Sequence, residues 1–312
     1  MKLVMPDYFH DFKCLAGKCS HSCCIGWEID IDEDTAGYYL SVDGSMGEKL
    51  KKSIFCADDG TYSFILGKDE RCPFLNSAGL CELILELGDE SLCQICRDHP
   101  RFRNYFSDRT EIGLGLCCES AAELILRKTE SVNFISLTQE CDDEVDADLD
   151  EQILLDFRNA LIDAAQDRSL NVLQRANIID SISETPITVT AAELSKFMLR
   201  LERLDDNWTN ELKLIENFSE SSAPAVFASE TWQSAFEQLL VYLLFRHVQL
   251  DHFEKFAVTM FRLIVTILSA HYINGDEPDI NTFINICRMW SSEIEYSDEN
   301  TALILNFIQD KH

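Results

Sequence analysis

Hydrophobic residues recur at helical spacing through the second half of the chain. Apolar positions within residues 153–162 fall near the i, i+3, i+4 and i+7 spacing of an amphipathic helix. Thr190 and Glu193 have the spacing of a capping box and stand directly before another periodic run, so they predict a helix start. Further helices are predicted at residues 232–250, 252–272, 281–290 and 302–308. The pattern therefore predicts an all-α domain over residues 150–312.

The first part of the chain has a shorter and less regular pattern. Residues 61–67 alternate and are rich in β-forming side chains, which predicts one short strand. Short helices are predicted at residues 33–40, 46–54, 82–87 and 120–127. The acidic run 142–151 predicts a solvated linker or the lead-in to a helix. The predicted fold is mainly α: a Cys-rich metal-binding N-terminal module with minor β over residues 1–130, followed by the all-α domain.

Composition narrows the classes of function. The chain has 312 residues, 46% of them hydrophobic, so it can bury a substantial core. A formal net charge of −29 repels nucleic acid and anionic membranes, which excludes both as general partners. The start of the chain has no apolar leader, and the apolar runs 239–250 and 256–270 are short for a membrane span. We expect a cytoplasmic protein in which these runs are buried core helices.

The cysteines are concentrated near the N-terminus. Eleven of the thirteen lie between Cys14 and Cys118, and only Cys141 and Cys287 follow. In a reducing compartment disulfides are rare, so clustered thiols indicate metal or redox chemistry. Cys56, Cys141 and Cys287, taken singly, are interpreted as small buried hydrophobic residues.

The spacing of the clustered cysteines favours an iron–sulfur cluster and keeps zinc as the alternative. Soft thiolates select zinc or iron–sulfur clusters over magnesium or calcium. Only Cys93 and Cys96 have the CxxC spacing of a zinc knuckle, and the adjacent pair Cys23 and Cys24 is awkward for one tetrahedral ion. A cubane with four iron corners can take one ligand from each of several segments.

An ordered series of motifs resembles the flagellin lysine-N-methylase family, within the broader group of CxxCxxCC-type zinc- or iron-chelating domains. The matching segments are Met5-Pro6-Asp7-Tyr8, Phe12-Lys13-Cys14, Cys19 to Trp27, Arg71-Cys72-Pro73-Phe74-Leu75, Gly79-Leu80-Cys81, Cys96-Arg97-Asp98-His99-Pro100-Arg101 and Leu116-Cys117-Cys118-Glu119-Ser120-Ala121-Ala122. The family's cysteine pattern falls on Cys14, Cys19, Cys23, Cys24, Cys72, Cys81, Cys96 and Cys117, which the resemblance implies as metal ligands. Cys93 and Cys118 depart from the pattern and are weaker ligand candidates.

The resemblance implies an activity, which the spacing of the residues does not. It implies methylation of flagellin lysines, dependent on S-adenosylmethionine and with a [4Fe–4S] cluster. Arg97 and Arg101 lie in a basic patch that could offset the negative charge of a thiolate-bound cluster or meet a carboxylate of the methyl donor. No dinucleotide-type glycine-rich loop is present beyond the fragment Gly113-Leu114-Gly115, so the donor is not expected in a doubly wound domain.

Two other classes of function stay open at this point. One is a non-enzymatic electron-transfer protein that carries an iron–sulfur cluster. The other is a zinc-stabilised protein-interaction module. The sequence identifies neither the general base nor the donor site, because too many acidic and tyrosine side chains are candidates.

Overall fold

The structure is a computed structural model that describes residues 2–138, 147–182, 188–218, 225–249 and 253–311. Its helices within these residues are α1 (Glu33–Ser41), α2 (Gly44–Ser53), α3 (Glu82–Leu87), α4 (Gln94–Asp98), α5 (Glu119–Leu126), α6 (Leu149–Ala165), α7 (Val172–Ile182), α8 (Ala191–Met198), α9 (Asp206–Ile215), α10 (Glu230–His247), α11 (Phe253–Asn274), α12 (Ile280–Trp290) and α13 (Asp298–Gln309). Its strands are β1 (Lys2–Pro6), β2 (Asp30–Ile31), β3 (Ile54–Cys56), β4 (Tyr62–Phe64), β5 (Arg101–Tyr105), β6 (Arg109–Leu114) and β7 (Phe134–Thr138). The prediction of a mainly helical chain with minor β structure is confirmed.

The chain forms two compact units that are discontinuous in sequence. The larger unit contains Met1–Phe12, Phe102–Cys117 and Ala121–His312, and the smaller contains Lys13–Arg101 and Cys118–Ser120. The division predicted from the sequence, at residues 130–150, follows the chain continuously. The units differ from it because the first strand pairs with strands that come much later in the chain.

A four-stranded sheet in the larger unit has the strand order β5-β6-β1-β7. Strand β1 runs parallel to β6, with Lys2 opposite Arg109, and antiparallel to β7, with Met5 opposite Ile135. One buried ion pair connects this sheet to α6, because the Arg158 guanidinium donates to both Glu111 carboxylate oxygens, at 2.8 and 2.5 Å. This sheet was absent from the predicted elements.

Helices α10 to α12 form the apolar core of the larger unit. Phe236 on α10 packs against Phe261 on α11 and Phe283 on α12, with ring centroids 6.2 and 5.4 Å apart. Among the described residues, α11 is the one helix with the length and apolar composition to cross a membrane, and 72% of its most apolar stretch is buried inside the protein. This burial agrees with the predicted core helix.

Local signals start the helices of the larger unit where the sequence predicts. The Thr190 hydroxyl accepts the Glu193 N–H at 3.2 Å and the Glu193 carboxylate accepts the Thr190 N–H at 3.1 Å, so the predicted capping box is formed. Asp148 caps α6 at the end of the acidic run. The first part of that run, residues 142–146, and Cys141 lie outside the described residues.

The smaller unit combines α1 to α4 with an antiparallel sheet of order β2-β4-β3. Strand β4 lies within the predicted strand 61–67, and α1, α2 and α3 coincide with predicted helices. Tyr39, Phe64 and Phe74 pack in series in its core, with centroid separations of 5.9 and 5.0 Å. Five cysteines of this unit lie in this core or pack against it: Cys24, Cys72, Cys81, Cys93 and Cys96.

Candidate functional site

Backbone pairing brings Cys24, Cys72 and Cys81 together in the smaller unit. The Cys72 N–H donates to the Cys24 carbonyl at 2.8 Å, which joins two segments distant in sequence. An isolated β-bridge between Leu75 and Cys81 closes the turn that follows Cys72. Main-chain hydrogen bonds therefore position three thiols from two segments that are distant in sequence.

Cys93 and Cys96 join these three from the first turn of α4. Cys93 is the N-cap residue of α4, which places Cys96 one turn later. The fully buried Tyr39 hydroxyl accepts the Cys93 N–H at 3.1 Å and donates to the Ser91 carbonyl at 2.7 Å, so it fixes the entry to the helix. Cys72 and Cys93 lie in the unit's apolar core and the other three pack against it. We call Cys24, Cys72, Cys81, Cys93 and Cys96 the five-thiol set.

Members of the five-thiol set influence one another electrostatically. Burial raises the pKa of Cys72 to about 12, and the charges of Cys24, Cys81 and Cys93 add to the rise. Hydrogen bonding with the Cys93 thiol is the largest cause, and burial the second, of a rise in the pKa of Cys96 far above its ordinary value. As neutral thiols these groups are stable in the core, whereas as thiolates they require a cation to offset their charge.

Arg71 supplies one positive charge to this region. Its guanidinium donates to the carbonyls of Leu75 and Asn76, at 3.2 and 2.7 Å, and is thereby held beside the turn. Hydrogen bonding from Cys23 and, more weakly, the charge of Arg71 lower the pKa of Cys24 to about 7. Arg71 was not among the predicted site residues, although its position directly before Cys72 was a usable signal.

A second group of thiols surrounds the start of α5. Glu119 accepts hydrogen bonds from the Ser20 N–H at 2.8 Å, the His21 N–H at 3.2 Å and the Cys19 thiol at 3.5 Å. The Ser120 hydroxyl donates to the Lys13 carbonyl at 2.7 Å. These bonds attach residues 118–120 to the loop that carries the first cysteine group.

Cys118 is therefore close to the thiols of that loop. Burial raises the pKa of Cys19 to about 11, with a contribution from the charge of Cys118. The charges of Cys14 and Cys118 also help to raise the pKa of Cys23, after the larger effects of Cys24 and burial. We call Cys14, Cys19, Cys23 and Cys118 the loop thiols.

Cys117, which the family pattern implies as a ligand, has its contacts in the larger unit. Its thiol is buried and hydrogen-bonds the Tyr296 side chain, within electrostatic reach of Arg246. The eight cysteines of the family pattern are thus divided: three are loop thiols, four belong to the five-thiol set, and Cys117 belongs to neither. Cys93 and Cys118, the weaker candidates, complete the two groups.

The two arginines predicted to bind a cofactor contact backbone carbonyls. Arg97 donates to the Leu92 carbonyl at 3.1 Å, and Arg101 donates to the Arg97 carbonyl at 3.4 Å. Burial and the charge of Arg101 lower the pKa of His99 to about 4, so this imidazole is neutral at pH 7. Arg97 thus contacts the backbone just before α4 and Arg101 contacts its last turn, and their role toward a cofactor stays a prediction.

The larger unit contains a buried polar network around Glu295, at the end of a π-helical turn, Ser291–Glu295. Its carboxylate accepts the Tyr242 hydroxyl at 2.7 Å, and it pairs with Arg246 at 3.1 Å and with His247 at 2.6 Å. Burial alone would raise the pKa of Glu295, but Arg246 and His247 lower it below its ordinary value. Because the carboxylate is fully buried and occupied, it is an anchor for the helices and has no oxygen exposed to a substrate.

The five-thiol set has the donor chemistry of a thiolate-ligated cluster. It offers more soft donors than one cluster needs, from three separate segments that meet at one apolar core. Within the part of the chain that the structure describes, no three His, Cys, Asp or Glu side chains form a group tight enough to hold one metal ion. The cysteines that the structure describes are all free thiols. Cys287 is buried as predicted, whereas Cys56 is exposed, so its interpretation as a small buried residue is wrong.

Comparison with known proteins adds an independent observation. The family model of the FliB lysine N-methylase C-terminal domain matches residues 101–312. The Lysine-N-methylases of Salmonella choleraesuis and Salmonella typhimurium are each 24% identical over 223 residues, which is 67% of this chain and 51% of theirs. The flagellar biosynthetic protein FliU of Salmonella muenchen is 26% identical over 135 residues, 41% of this chain and 78% of FliU.

The aligned region therefore spans about half the length of the two lysine methylases. No solved structure matches the chain. The family match begins at β5 and continues through α13, so it covers more than half of the chain. On this match, the chain belongs to the FliB lysine N-methylase family.

Proposed function

We propose that this protein is a protein-lysine N-methyltransferase that transfers the methyl group of S-adenosylmethionine to lysines of flagellin. The observation that carries the proposal is the family match over residues 101–312. The flagellar name of the FliU relative supports flagellin as the substrate. A cytoplasmic location, where unassembled flagellin is accessible, is part of the same proposal.

The chain's charge suits a cationic substrate. Transfer to a lysine requires the amine, whose ordinary pKa is about 10.4, to lose its proton in an orientation that faces the donor. A net charge of −29 attracts lysine-rich surfaces and raises their local concentration at the protein. Desolvation of the bound amine would lower its pKa toward neutrality.

We further propose that the five-thiol set holds a [4Fe–4S] cluster. Cys24, Cys72 and Cys81, together with Cys93 or Cys96, would be its ligands. When bound, the cluster would tie three segments of the smaller unit together. Zinc is the alternative occupant, since the same thiolates bind it.

The experiment that tests the activity uses the full chain, isolated without oxygen. It is incubated with flagellin and S-adenosylmethionine, and flagellin is analysed by intact mass. We expect additions in steps of roughly 14 Da that depend on the donor. Flagellin with acetylated lysines is the matched control and should stay unmodified.

The same preparation separates the two other classes of function. If flagellin stays unmodified and the purified protein contains iron and sulfide, the protein is a non-enzymatic cluster protein. If flagellin stays unmodified and the purified protein contains zinc alone, the protein is an interaction module.

A further inference from the structure

An open cleft of about 430 Å³ lies in the larger unit, beside the end of β1 and the last turns of α5. Asp7 and Tyr8 line it directly after β1, and Asp11 follows in a short 3-10 turn. Leu124 and Glu130 line it from α5 and the segment after it. Asp7 and Tyr8 belong to the motif Met5-Pro6-Asp7-Tyr8.

Two polar groups of residues that line this cleft have no hydrogen-bond partner within the described residues. The Tyr8 side chain is buried, with 7% of the residue exposed, yet its hydroxyl makes no hydrogen bond there. The buried Oδ1 atom of Asp7 also has none, although Oδ2 lies 3.3 Å from the Lys128 ammonium. Polar groups in such positions are normally satisfied by water or by a ligand.

The charges around the cleft favour a cation. Its lining includes four carboxylates and two cationic side chains, which leaves a net charge of −2. Arg127 pairs with Glu123 at 3.1 Å, and Lys128 pairs with Asp7. Asp11 and Glu130 form no ion pair with any residue that the structure describes. Two carboxylates are therefore left to attract a positively charged group.

The cleft also has an apolar wall. The ring of Tyr8 and the side chain of Leu124 offer carbon surface next to the oxygen acceptors. An alkylammonium matches this combination, because its methylenes contact the apolar wall while its three N–H groups donate to oxygens and its charge faces the aromatic ring. A hydrated divalent cation would use the oxygens alone.

We propose that this cleft binds the side chain of the lysine to be methylated, with the Tyr8 hydroxyl and the Asp7 and Asp11 carboxylates as acceptors for its ammonium group. The proposal rests on the proposed lysine methyltransferase activity for the identity of its ligand. Burial and the charge of Asp7 raise the pKa of Tyr8 well above its ordinary value, so the phenol is neutral at pH 7 and can accept a hydrogen bond from the ammonium.

Binding of short peptides to the full chain tests the cleft without any methyl transfer. The probes are a peptide with one central lysine and the same peptide with acetyl-lysine, titrated by calorimetry at pH 7.5. We expect the acetyl-lysine peptide to bind at least about tenfold more weakly, because it lacks the charge and two of the donors. Equal binding of both peptides would overturn the proposal.

Variants assign the binding to this cleft. Tyr8→Phe should weaken binding of the lysine peptide by about tenfold, since a hydrogen bond to a charged group is lost. The double variant Asp11→Asn/Glu130→Gln changes only exposed side chains and should weaken it by about three- to tenfold, more strongly at low salt. Asp163→Asn on α6, also exposed and outside the cleft, is the matched control and should bind like the unchanged protein.

The outcomes separate this proposal from the proposed activity. Lysine-specific binding that the cleft variants weaken, with flagellin left unmethylated, would support the cleft and refute the activity. Methylated flagellin with peptide binding unchanged in both cleft variants would support the activity and refute the cleft. If millimolar Mg²⁺ or Ca²⁺ displaces the lysine peptide from the unchanged protein but not from the double variant, the cleft is a metal site and the lysine assignment is refuted.

Discussion

Tyr39→Phe should destabilise the smaller unit more than its single lost oxygen suggests. The hydroxyl makes two hydrogen bonds, to the Ser91 carbonyl at 2.7 Å and from the Cys93 N–H at 3.1 Å. Tyr39 and Cys93 are both fully buried, so water cannot replace the missing partner. A buried polar group left unpaired costs about 1–3 kcal/mol, and two such groups with partial relaxation give an expected loss of about 2–3 kcal/mol.

Urea unfolding of the full chain, followed by circular dichroism, measures this loss, and hydrogen exchange of a peptide that contains Cys93 locates it. The exchange rate at that amide should rise at least about fivefold, as expected for a local loss above 1 kcal/mol. Tyr38→Phe is the matched control, because Tyr38 lies next to Tyr39 in α1 and is 44% exposed. A loss for Tyr39→Phe within about 0.5 kcal/mol of the control would refute the idea that this hydroxyl fixes the entry to α4.

Three further predictions concern charge and packing. Hydrogen bonding to Glu211 raises the pKa of His271 to about 9, so the protonated imidazole stabilises the fold fully below about pH 6.5, and this contribution is lost as the pH rises through 9. After solvent screening, His271→Gln should therefore lower the free energy of unfolding in urea by about 1–2 kcal/mol at pH 6 and by little at pH 10, and an equal loss at both pH values would contradict the pairing. Arg158→Leu should cost about 3–5 kcal/mol in thermal unfolding because it leaves Glu111 buried without its partner, and the double variant with Glu111→Leu should recover most of it; no recovery would contradict this. Gly17→Ala places a Cβ 2.6 Å from the Ala78 carbonyl oxygen and should cost about 1–3 kcal/mol by urea unfolding, whereas the control Gly37→Ala meets nothing within 4 Å and should not destabilise; similar values for both would contradict the close approach.

Signals that act within a few residues were sufficient to predict many of the helices. The capping box of Thr190 and Glu193 and the apolar runs of α10 and α11 contain the information that starts and buries these helices. The larger sheet was missed because its order depends on pairs far apart in sequence. The residues of β1 form a short apolar segment, and their pattern does not indicate that β6 and β7 are its neighbours.

The grouping of the thiols could be predicted from the sequence even less completely than the sheet. Composition alone predicts that the N-terminal cysteines act together, and the family resemblance selects eight of them. Their division depends on tertiary contacts, since the adjacent residues Cys117 and Cys118 belong to different units. The hydrogen bonds of Glu119 to the loop of Cys19 make Cys118 a loop thiol, and the sequence contains no periodic signal for such a contact.

The metal and sulfide content of protein isolated without oxygen tests the proposed cluster most directly. For the unchanged chain we predict about four iron atoms and about four sulfides per protein, with absorbance near 400 nm. Cys72→Ser and Cys81→Ser should lose most of this iron, whereas Cys56→Ser, an exposed thiol outside the five-thiol set, should retain it. Zinc in place of iron, or iron that stays at the level of the Cys56→Ser control in both Cys72→Ser and Cys81→Ser, would contradict the assignment of the cluster to these thiols.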